Sequence, residues 1–301
     1  MAATKIQKKE TVEKKEEGKG PGKKGALELI SETFNDGIKY LEKNVRDLFA
    51  DMLKIEVLSL GVFLVLAAIA VAPWFIFLVA PSFEGLNIPL LVFSAIVFTV
   101  ALLLSVAISS VQYNAVDKRA KNGAVAIIHQ SRQNFVPVIA YYLIITILMA
   151  VAFLPAALLF ISGNVVMMLG AFALLLLAFL VLVVAGFLLQ FGLWELVINR
   201  KGPFESMKRS YALVTRGNII KILLFDICFF VASFGFGLIF SVLNYIVQII
   251  ASLFELLNAE LGLAASLLAS LLVSAVEGAV IGAVLLPFAY LFWKKLEELG
   301  G

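Results

Sequence analysis

Cysteine and histidine are almost absent from this 301-residue chain, which contains one of each. Because Cys228 is the only cysteine, an intrachain disulfide is excluded, and a thiol-based metal site cannot be assembled. Because His129 is the only histidine, paired-histidine chemistry and most zinc sites are excluded too. We therefore expect neither a metal nor any other cofactor.

Charge is also scarce. Charged residues make up 15% of the chain, whereas about 25% is usual in a soluble domain. Hydrophobic residues make up 62% and stand in continuous runs. A helix needs about 20 apolar residues to cross about 30 Å of hydrocarbon. Since the runs do not alternate with polar residues, they predict membrane-spanning helices and not the strands of a barrel.

Recognisable catalytic motifs are missing as well. The sequence has no phosphate-binding glycine loop, no cluster of metal ligands and no Ser/His/Asp set. Acid–base catalysis would depend on isolated carboxylates in lipid, so an enzyme is the class of function that the sequence favours least. The basic residues are expected to face lipid head groups, which argues against nucleic acid as a partner.

The first 54 residues are polar. Residues 1–25 hold eight lysines and four glutamates and are expected to form a disordered basic tail. We favour a solubilising role for this tail over attraction to anionic lipid, because the glutamates dilute its charge. Residues 26–54 predict an amphipathic helix along the membrane surface. Its predicted apolar face contains Leu27, Ile30, Phe34, Ile38, Leu41, Val45 and Leu48.

Six apolar segments follow and predict an all-α transmembrane domain over 55–293. They lie near 55–80, 88–112, 135–162, 165–198, 219–256 and 263–293. Short and long connections alternate, which predicts three hairpins in series, each preceded by a cytoplasmic amphipathic interfacial helix. Residues 294–301 are expected to form a short cytoplasmic tail.

The 24 Lys and Arg residues indicate the orientation. All of them fall in 1–54, 117–132, 200–221 or 294–295. These four regions share one side of a six-span layout, and basic residues mark the cytoplasmic side. Both termini of this cell-membrane protein are therefore expected in the cytoplasm. Trp74 near an outer end, and Trp194 and Trp293 near inner ends, suit interfacial aromatic belts.

Three polar segments resemble one another. They are 37–49, 126–138 and 208–225, and their shared asparagines are Asn44, Asn134 and Asn218. An asparagine before an apolar helix is suited to cap its first turn. We favour three copies of one unit, an interfacial helix plus a hairpin. The alternative is that interfacial polar segments look alike in any membrane protein.

The third of these segments predicts a separate helix. Gly202 and Pro203 suit its start, and Gly217 suits the left-handed residue that ends it. Its predicted apolar face contains Phe204, Met207, Tyr211 and Val214. The candidate contacts for lipid head groups, anionic ones included, are Arg200, Lys201, Lys208, Arg209 and Arg216.

The residues around this helix resemble a known membrane domain. Their order is similar to that in the six-helix membrane domain attached to some glycerophosphodiester phosphodiesterases, and in related uncharacterised multi-pass families of bacteria and archaea. The matching residues are Glu195, Arg200, Gly202, Pro203, Glu205, Lys208, Arg209, Ser210, Gly217 and Asn218, with Phe153, Leu154 and Pro155 in the third span. The resemblance covers roughly 30–293 and implies a fold of unknown activity. The phosphodiesterase reaction is not expected, because it needs several histidines and this sequence has one.

Three of the acidic residues inside predicted spans are site candidates, because an ionised side chain there costs roughly 2.5–3.5 kcal/mol on insertion scales. Glu195 is near the inner end of the fourth span, Asp226 lies in the fifth, and Glu277 is near the middle of the sixth. For Glu195 and Asp226 we favour structural pairing with nearby basic residues or water. For Glu277 a functional role and a structural one are equally favoured.

A polar stripe in the fifth span consists of Asn244, Gln248, Ser252 and Glu255. It either lines a pore or belongs to a segment, 241–258, that bends onto the outer surface. We favour the bend, because 38 helical residues would rise about 57 Å. In the sixth span, Ser274, Gly278 and Gly282 form a small-residue face suited to close packing within the protein or between copies.

Two functions stay open. The first is a non-enzymatic integral membrane protein that organises lipid or a protein complex, alone or as a homo-oligomer. The second is a small-solute or ion transporter or channel that uses Glu277 with Asp226 or Glu195. Convergence of Glu277, Asn244 and Gln248 on one cavity would favour transport, whereas scattering of these residues would favour the first function.

Overall fold

The structure is a computed structural model that describes residues 25–79, 87–118, 123–161, 164–255 and 258–300. These ranges contain helices and no strand. In chain order the described helices are α1 (Ala26–Val79), α2 (Asn87–Ser109), α3 (Val111–Lys118), α4 (Gly123–Ile161), α5 (Val165–Leu189), α6 (Gly192–Val197), α7 (Pro203–Thr215), α8 (Ile219–Glu255) and α9 (Ala259–Gly300). The predicted tail, 1–25, lies outside the described residues except for Gly25.

Six segments of these helices are long and apolar enough to cross a membrane. They are Ala26–Ala72, Pro89–Asp117, Ser131–Phe160, Val166–Leu189, Ile219–Phe254 and Ala265–Leu299. The predicted fold class is confirmed, and the chain is an all-α, multi-pass membrane protein with six spans.

Two of the three predicted interfacial helices are not separate from their spans. Helix α1 runs without a break from Ala26 through the first span, and α4 runs through the second polar segment into the third span. The asparagines do not cap these spans. Asn44 Nδ2 donates to the Tyr40 carbonyl in its own helix, and Asn134 Nδ2 donates to the Val197 carbonyl of α6. The N-cap prediction is therefore wrong for both.

The third interfacial helix is separate, as predicted. Gly202 is the N-cap of α7, Pro203 follows it, and Gly217 has a φ of 85° just beyond the end. Asn218 Nδ2 donates to the Leu213 carbonyl, which satisfies an orphan acceptor in the last turn of α7. The next span, α8, begins at Ile219.

The spans pack in the neighbour order α5, α4, α2, α1, α9, α8. The three predicted hairpins are therefore α1–α2, α4–α5 and α8–α9, with α1–α2 in the middle. The small-residue face of α9 packs inside the protein. A Cβ added to Gly278 would lie 2.8 Å from Glu56 Oε1, and one added to Gly282 would lie 3.3 Å from Met52 Sδ, both on α1.

The buried core is concentrated at the end of the molecule that carries the basic residues, which we call the base. There α3, α6, α7, the first half of α1 and the second half of α9 meet. Trp194 and Trp293 stack at 5.9 Å and are only 3% and 2% exposed. Their predicted place in an aromatic belt facing lipid head groups is therefore wrong. The side chain of Trp74 lies outside the described residues.

Residues 294–300 continue α9 and do not form a separate tail. Leu296 is fully buried in the core of the base. Lys295 Nζ lies 2.6 Å from Asp36 Oδ2 and 3.7 Å from Glu32 Oε2, both on α1. Antiparallel packing against the first half of α1 thus extends the helix to Gly300.

Away from the base, the hairpins expose large apolar side chains over most of their surface. In α5, for example, Leu169, Phe172, Leu176 and Leu180 are all exposed, while Ala171 and Ala178 are buried. Lipid tails are as apolar as leucine, so no hydrophobic force drives these faces together. The exposed side chains are the lipid-facing surface of the protein.

Candidate functional site

The most densely connected polar cluster lies in the base and contains Glu195, Asn199, Arg209 and Glu297. Asn199 Nδ2 donates to Glu195 Oε2 at 2.9 Å and to Glu297 Oε1 at 3.0 Å. Arg209 Nη1 lies 3.5 Å from Glu195 Oε2 and 4.0 Å from Glu297 Oε1. We call this set the base cluster. It joins α6, α7 and α9 across two carboxylates.

A break in the fourth span brings Glu195 to this position. Helix α5 ends at Leu189, and α6 starts at Gly192. The backbone groups that the break frees are satisfied by side chains from other helices. Ser210 Oγ of α7 donates to the Leu188 carbonyl and accepts from the Phe191 N–H, and Tyr141 Oη of α4 donates to the Leu189 carbonyl.

The turn between α6 and α7 directs the basic residues. Arg200 has a φ of 53°, the left-handed region that is uncommon for residues other than glycine. The Lys201 N–H reaches back to the Glu195 carbonyl at 3.3 Å, and Lys201 Nζ pairs with Glu205 at 3.0 Å. The turn is therefore held at both sides, and the exposed Arg200 side chain lies between these contacts.

The five predicted head-group contacts do not share one environment. Arg209 is engaged in the base cluster, and Lys201 pairs with Glu205. Arg200, Lys208 and Arg216 are exposed. Within the described residues Arg200 and Lys208 make no side-chain hydrogen bond or ion pair, so they are the two most available to an external anion.

The predicted apolar face of α7 is only half right. Val214 is buried, but Phe204 and Tyr211 are 73% and 53% exposed. The face that packs into the base carries Ser206 and Ser210 beside Leu213 and Val214, and the small side chains let α7 approach the broken span. Phe204 and Tyr211 are left on the outside of a helix that follows Arg200 and Lys201 and has Arg216 as its C-cap.

The first half of α1 repeats this arrangement. Leu27, Ile38 and Val45, all predicted on its apolar face, are exposed, whereas Thr33 and Gly37 are buried. A Cβ added to Gly37 would lie 2.2 Å from the Phe288 ring of α9, so only glycine allows this approach. Ile30 and Leu48 of the predicted face are buried, and Phe34 and Leu41 pack against the core, so the predicted face is right for four of its seven residues.

The predicted intramembrane residues do not converge. Gln248 Nε2 donates to the Ser266 carbonyl and to Ser270 Oγ, and Gln248 Oε1 accepts from Ser266 Oγ at 2.5 Å. These bonds hold the last turns of α8 against the first turns of α9, at the end of the hairpin opposite the base. Asn244 Oδ1, one turn away, is buried and accepts no hydrogen bond within the described part of the chain.

The α8–α9 pairing also corrects the predicted bend. Helix α8 is continuous from Ile219 to Glu255, with no break at Gly235 or Gly237. Its last turns pack along α9 through Gln248 and do not fold back onto a surface. The side chain of Glu255 lies outside the described residues.

The three predicted acids lie in different surroundings. Glu195 belongs to the base cluster, where its carboxylate pairs with Arg209 and not with Arg200. Asp226 on α8 is half-buried, one residue after the buried Phe225. Glu277 is half-buried and has no hydrogen bond or ion pair in the described ranges.

Glu56 is an acid that sequence reasoning missed. Its Oε1 accepts a hydrogen bond from Gln112 Nε2 at 2.7 Å, and it faces Gly278 of α9. Three residues further along α1, the buried Ser59 Oγ meets Ser105 Oγ at 2.6 Å and Ser109 Oγ at 3.2 Å. A signal existed, because Glu56 is the first acid after the predicted start of the span at residue 55.

The described residues contain no group of three or more His, Cys, Asp or Glu side chains that could hold a metal ion. Each polar cluster is instead satisfied chiefly by hydrogen bonds between neighbouring helices. Comparisons of the chain with protein-family models, with curated proteins and with solved structures found no match.

Proposed function

We propose that this protein is a non-enzymatic integral membrane protein that organises lipid, or a membrane complex. The lipid or complex would gather around the base, with its Lys and Arg residues, and around the lipid-exposed hairpins. We place the protein in the cell membrane with both termini in the cytoplasm. The order of residues from Glu195 to Asn218 supports grouping it with the six-helix membrane domains that it resembles.

The observation that carries this proposal is the scatter of the intramembrane polar residues. Glu195 pairs with Arg209 in the base and Gln248 bonds α8 to α9, while Glu277 makes no hydrogen bond or ion pair with either among the described residues. A transport path needs polar groups that line one continuous route. Hydrogen bonds that join helices pairwise suit a fixed scaffold instead.

The exposed faces of the two polar helical segments supply the lipid contact. Phe204 and Tyr211 on α7, and Leu27 and Ile38 on α1, are large, apolar and exposed. Both segments also carry exposed basic residues, such as Lys208 and Lys39. Apolar side chains beside basic ones are the pattern of helices that lie in the membrane interface and attract anionic lipid.

Lipid retention tests the proposal. The full chain is purified in mixed micelles with equal phosphatidylglycerol and phosphatidylcholine, and bound lipid is counted by native mass spectrometry. We expect phosphatidylglycerol to be enriched on the wild type. The double variant Arg200→Asn, Lys208→Gln should lower that enrichment by about fivefold per charge, because each basic residue near the surface contributes about 1 kcal/mol.

A variant that should raise the phosphatidylglycerol enrichment serves as the control. Glu205→Gln releases Lys201 from its 3.0 Å ion pair and should raise the enrichment. Wild-type protein that shows no preference for the anionic lipid, and that co-purifies with no protein partner, would contradict the proposal.

A small-solute or ion transporter or channel is the second candidate. The observation that favours it is the half-buried Glu277, which has no hydrogen bond or ion pair among the described residues. Proton and monovalent-cation flux is measured in proteoliposomes. Flux above that of protein-free liposomes, lost in Glu277→Gln but not in Glu205→Gln, would support transport and displace the first proposal. Flux equal to that of protein-free liposomes would remove this candidate.

A further inference from the structure

The surface of the first hairpin carries an apolar groove of about 870 Å³. It is lined chiefly by Lys54, Val57, Leu58, Gly61 and Val65 of α1 and by Leu104 of α2. Among the described residues that line it, Lys54 is the only charged one. The volume falls within the range of about 300–1,000 Å³ that is usual for small-molecule sites.

Gly61 forms the floor of the groove. A Cβ added at Gly61 would meet no atom within 4 Å, unlike one added at Gly278 or Gly282. The missing side chain therefore deepens the groove at this point. Val57 and Val65, one turn to either side, are both more than half exposed and form the walls.

The groove has the length of one membrane leaflet. From Lys54 to Val65 the helix rises about 17 Å, whereas half of a 30 Å hydrocarbon layer is about 15 Å. Lys54 lies at the end of the groove that is nearer the base, and its side chain is 66% exposed. Its ion pair with Asp51 is long, at 4.0 Å, which leaves the ammonium group available to an external anion.

We propose that this groove binds one acyl chain of an anionic phospholipid, with the lipid phosphate at Lys54. The proposal rests on the function proposed above and names its lipid class and one binding position. A helix from a second copy fits less well, because its apolar side chains would cover the Lys54 ammonium and leave it only the 4.0 Å contact with Asp51. A phosphate supplies a second, closer counter-ion, and the acyl chain covers Gly61.

Two variants test the two halves of the site in the mixed-micelle experiment with phosphatidylglycerol and phosphatidylcholine. Gly61→Leu fills the groove and should lower the retention of one phosphatidylglycerol per chain by at least tenfold. Lys54→Gln leaves the groove open and should lower the preference for phosphatidylglycerol over phosphatidylcholine by about fivefold. Lys54 is exposed, so this variant keeps the test valid should Gly61→Leu fold poorly.

Gly235→Leu is the matched control. Gly235 lies in α8, and a Cβ there also meets nothing within 4 Å, so the same side chain is added to a lipid-facing helix away from the groove. Retention should equal that of the wild type. A loss as large as that in Gly61→Leu would overturn the proposal.

The remaining outcomes separate this proposal from the broader one. Retention that falls in Arg200→Asn, Lys208→Gln but not in Gly61→Leu or Lys54→Gln would overturn the groove and leave the proposed function standing. A wild type without any preference for phosphatidylglycerol would overturn both. A dimer mass that Gly61→Leu abolishes would assign the groove to a second copy of the chain and overturn the lipid proposal.

Discussion

The carboxylate of Glu195 on α6 lies 3.5 Å from the guanidinium of Arg209 on α7, across the turn at 198–202. Glu195 is 2% exposed and also accepts a hydrogen bond from Asn199. The same guanidinium lies 4.0 Å from Glu297 of α9. One arginine therefore stands between two carboxylates, and it links the second hairpin to the third.

Arg209→Gln should destabilise the protein. The change leaves the buried Glu195 carboxylate without its cation, and an unpaired buried charged group costs about 1–3 kcal/mol or more. Thermal unfolding in detergent, followed by the fluorescence of the nearby tryptophans, measures the change. Lys208→Gln, at an exposed neighbouring position, should leave the unfolding temperature unchanged. Equal unfolding temperatures for the two variants would contradict a structural role for the base cluster.

Ser210→Ala should loosen the break in the fourth span. The Ser210 hydroxyl both donates to the Leu188 carbonyl and accepts from the Phe191 N–H, and neither group would keep a partner in the described structure. We expect a loss of about 1–3 kcal/mol in the free energy of unfolding. Hydrogen exchange should rise at residues 188–192 in particular. Thr215→Ala, which removes an exposed hydroxyl from the same helix, should change neither quantity.

Two glycine-to-alanine substitutions should change the free energy of unfolding in opposite directions. Gly37→Ala would place a Cβ 2.2 Å from the buried ring of Phe288 and force α1 away from α9, at a cost of about 1–3 kcal/mol. Gly235→Ala meets open space and should stabilise α8 by up to about 1 kcal/mol through helix propensity. Chemical denaturation in mixed micelles compares them. Destabilisation by both variants would contradict the open surroundings of Gly235.

The proposed orientation is tested by labelling single cysteines in a Cys228→Ser background with a membrane-impermeant maleimide. Lys208→Cys should react only after the membrane is opened, because α7 is placed on the cytoplasmic side. Asn164→Cys, at the N-cap of α5 beside an outer turn, should react in intact cells. The reverse pattern would contradict the proposed orientation.

Span count and pairing could be predicted from the sequence because they depend on local quantities. A continuous apolar run of sufficient length can cross lipid in one way only, with its backbone bonds made inside a helix. The positions of the short turns then determine which spans form hairpins. The helix at 203–215 was predictable for the same reason, since Gly202, Pro203 and Gly217 act on their own backbone.

Side-chain partners were predicted less well. Trp194 and Trp293 look like interfacial tryptophans by position along the chain, yet they stack on each other in the core of the base. Asn134 looks like a cap, yet it donates to a carbonyl 63 residues away. Each of these contacts is set by helices that are distant in sequence, so no local pattern contains it.

Composition and charge by themselves determined that this chain spans a membrane six times, since the cost of unpaired backbone groups and of charges in lipid acts on every segment separately. Only the tertiary structure decided which faces pack. In α1 and α7 the small residues Gly37 and Ser210 turn inward beside large apolar ones such as Leu48 and Val214, while Leu27 and Phe204 face outward. Lipid makes this possible, because it solvates large apolar side chains and leaves close packing and hydrogen bonds to choose the contact face.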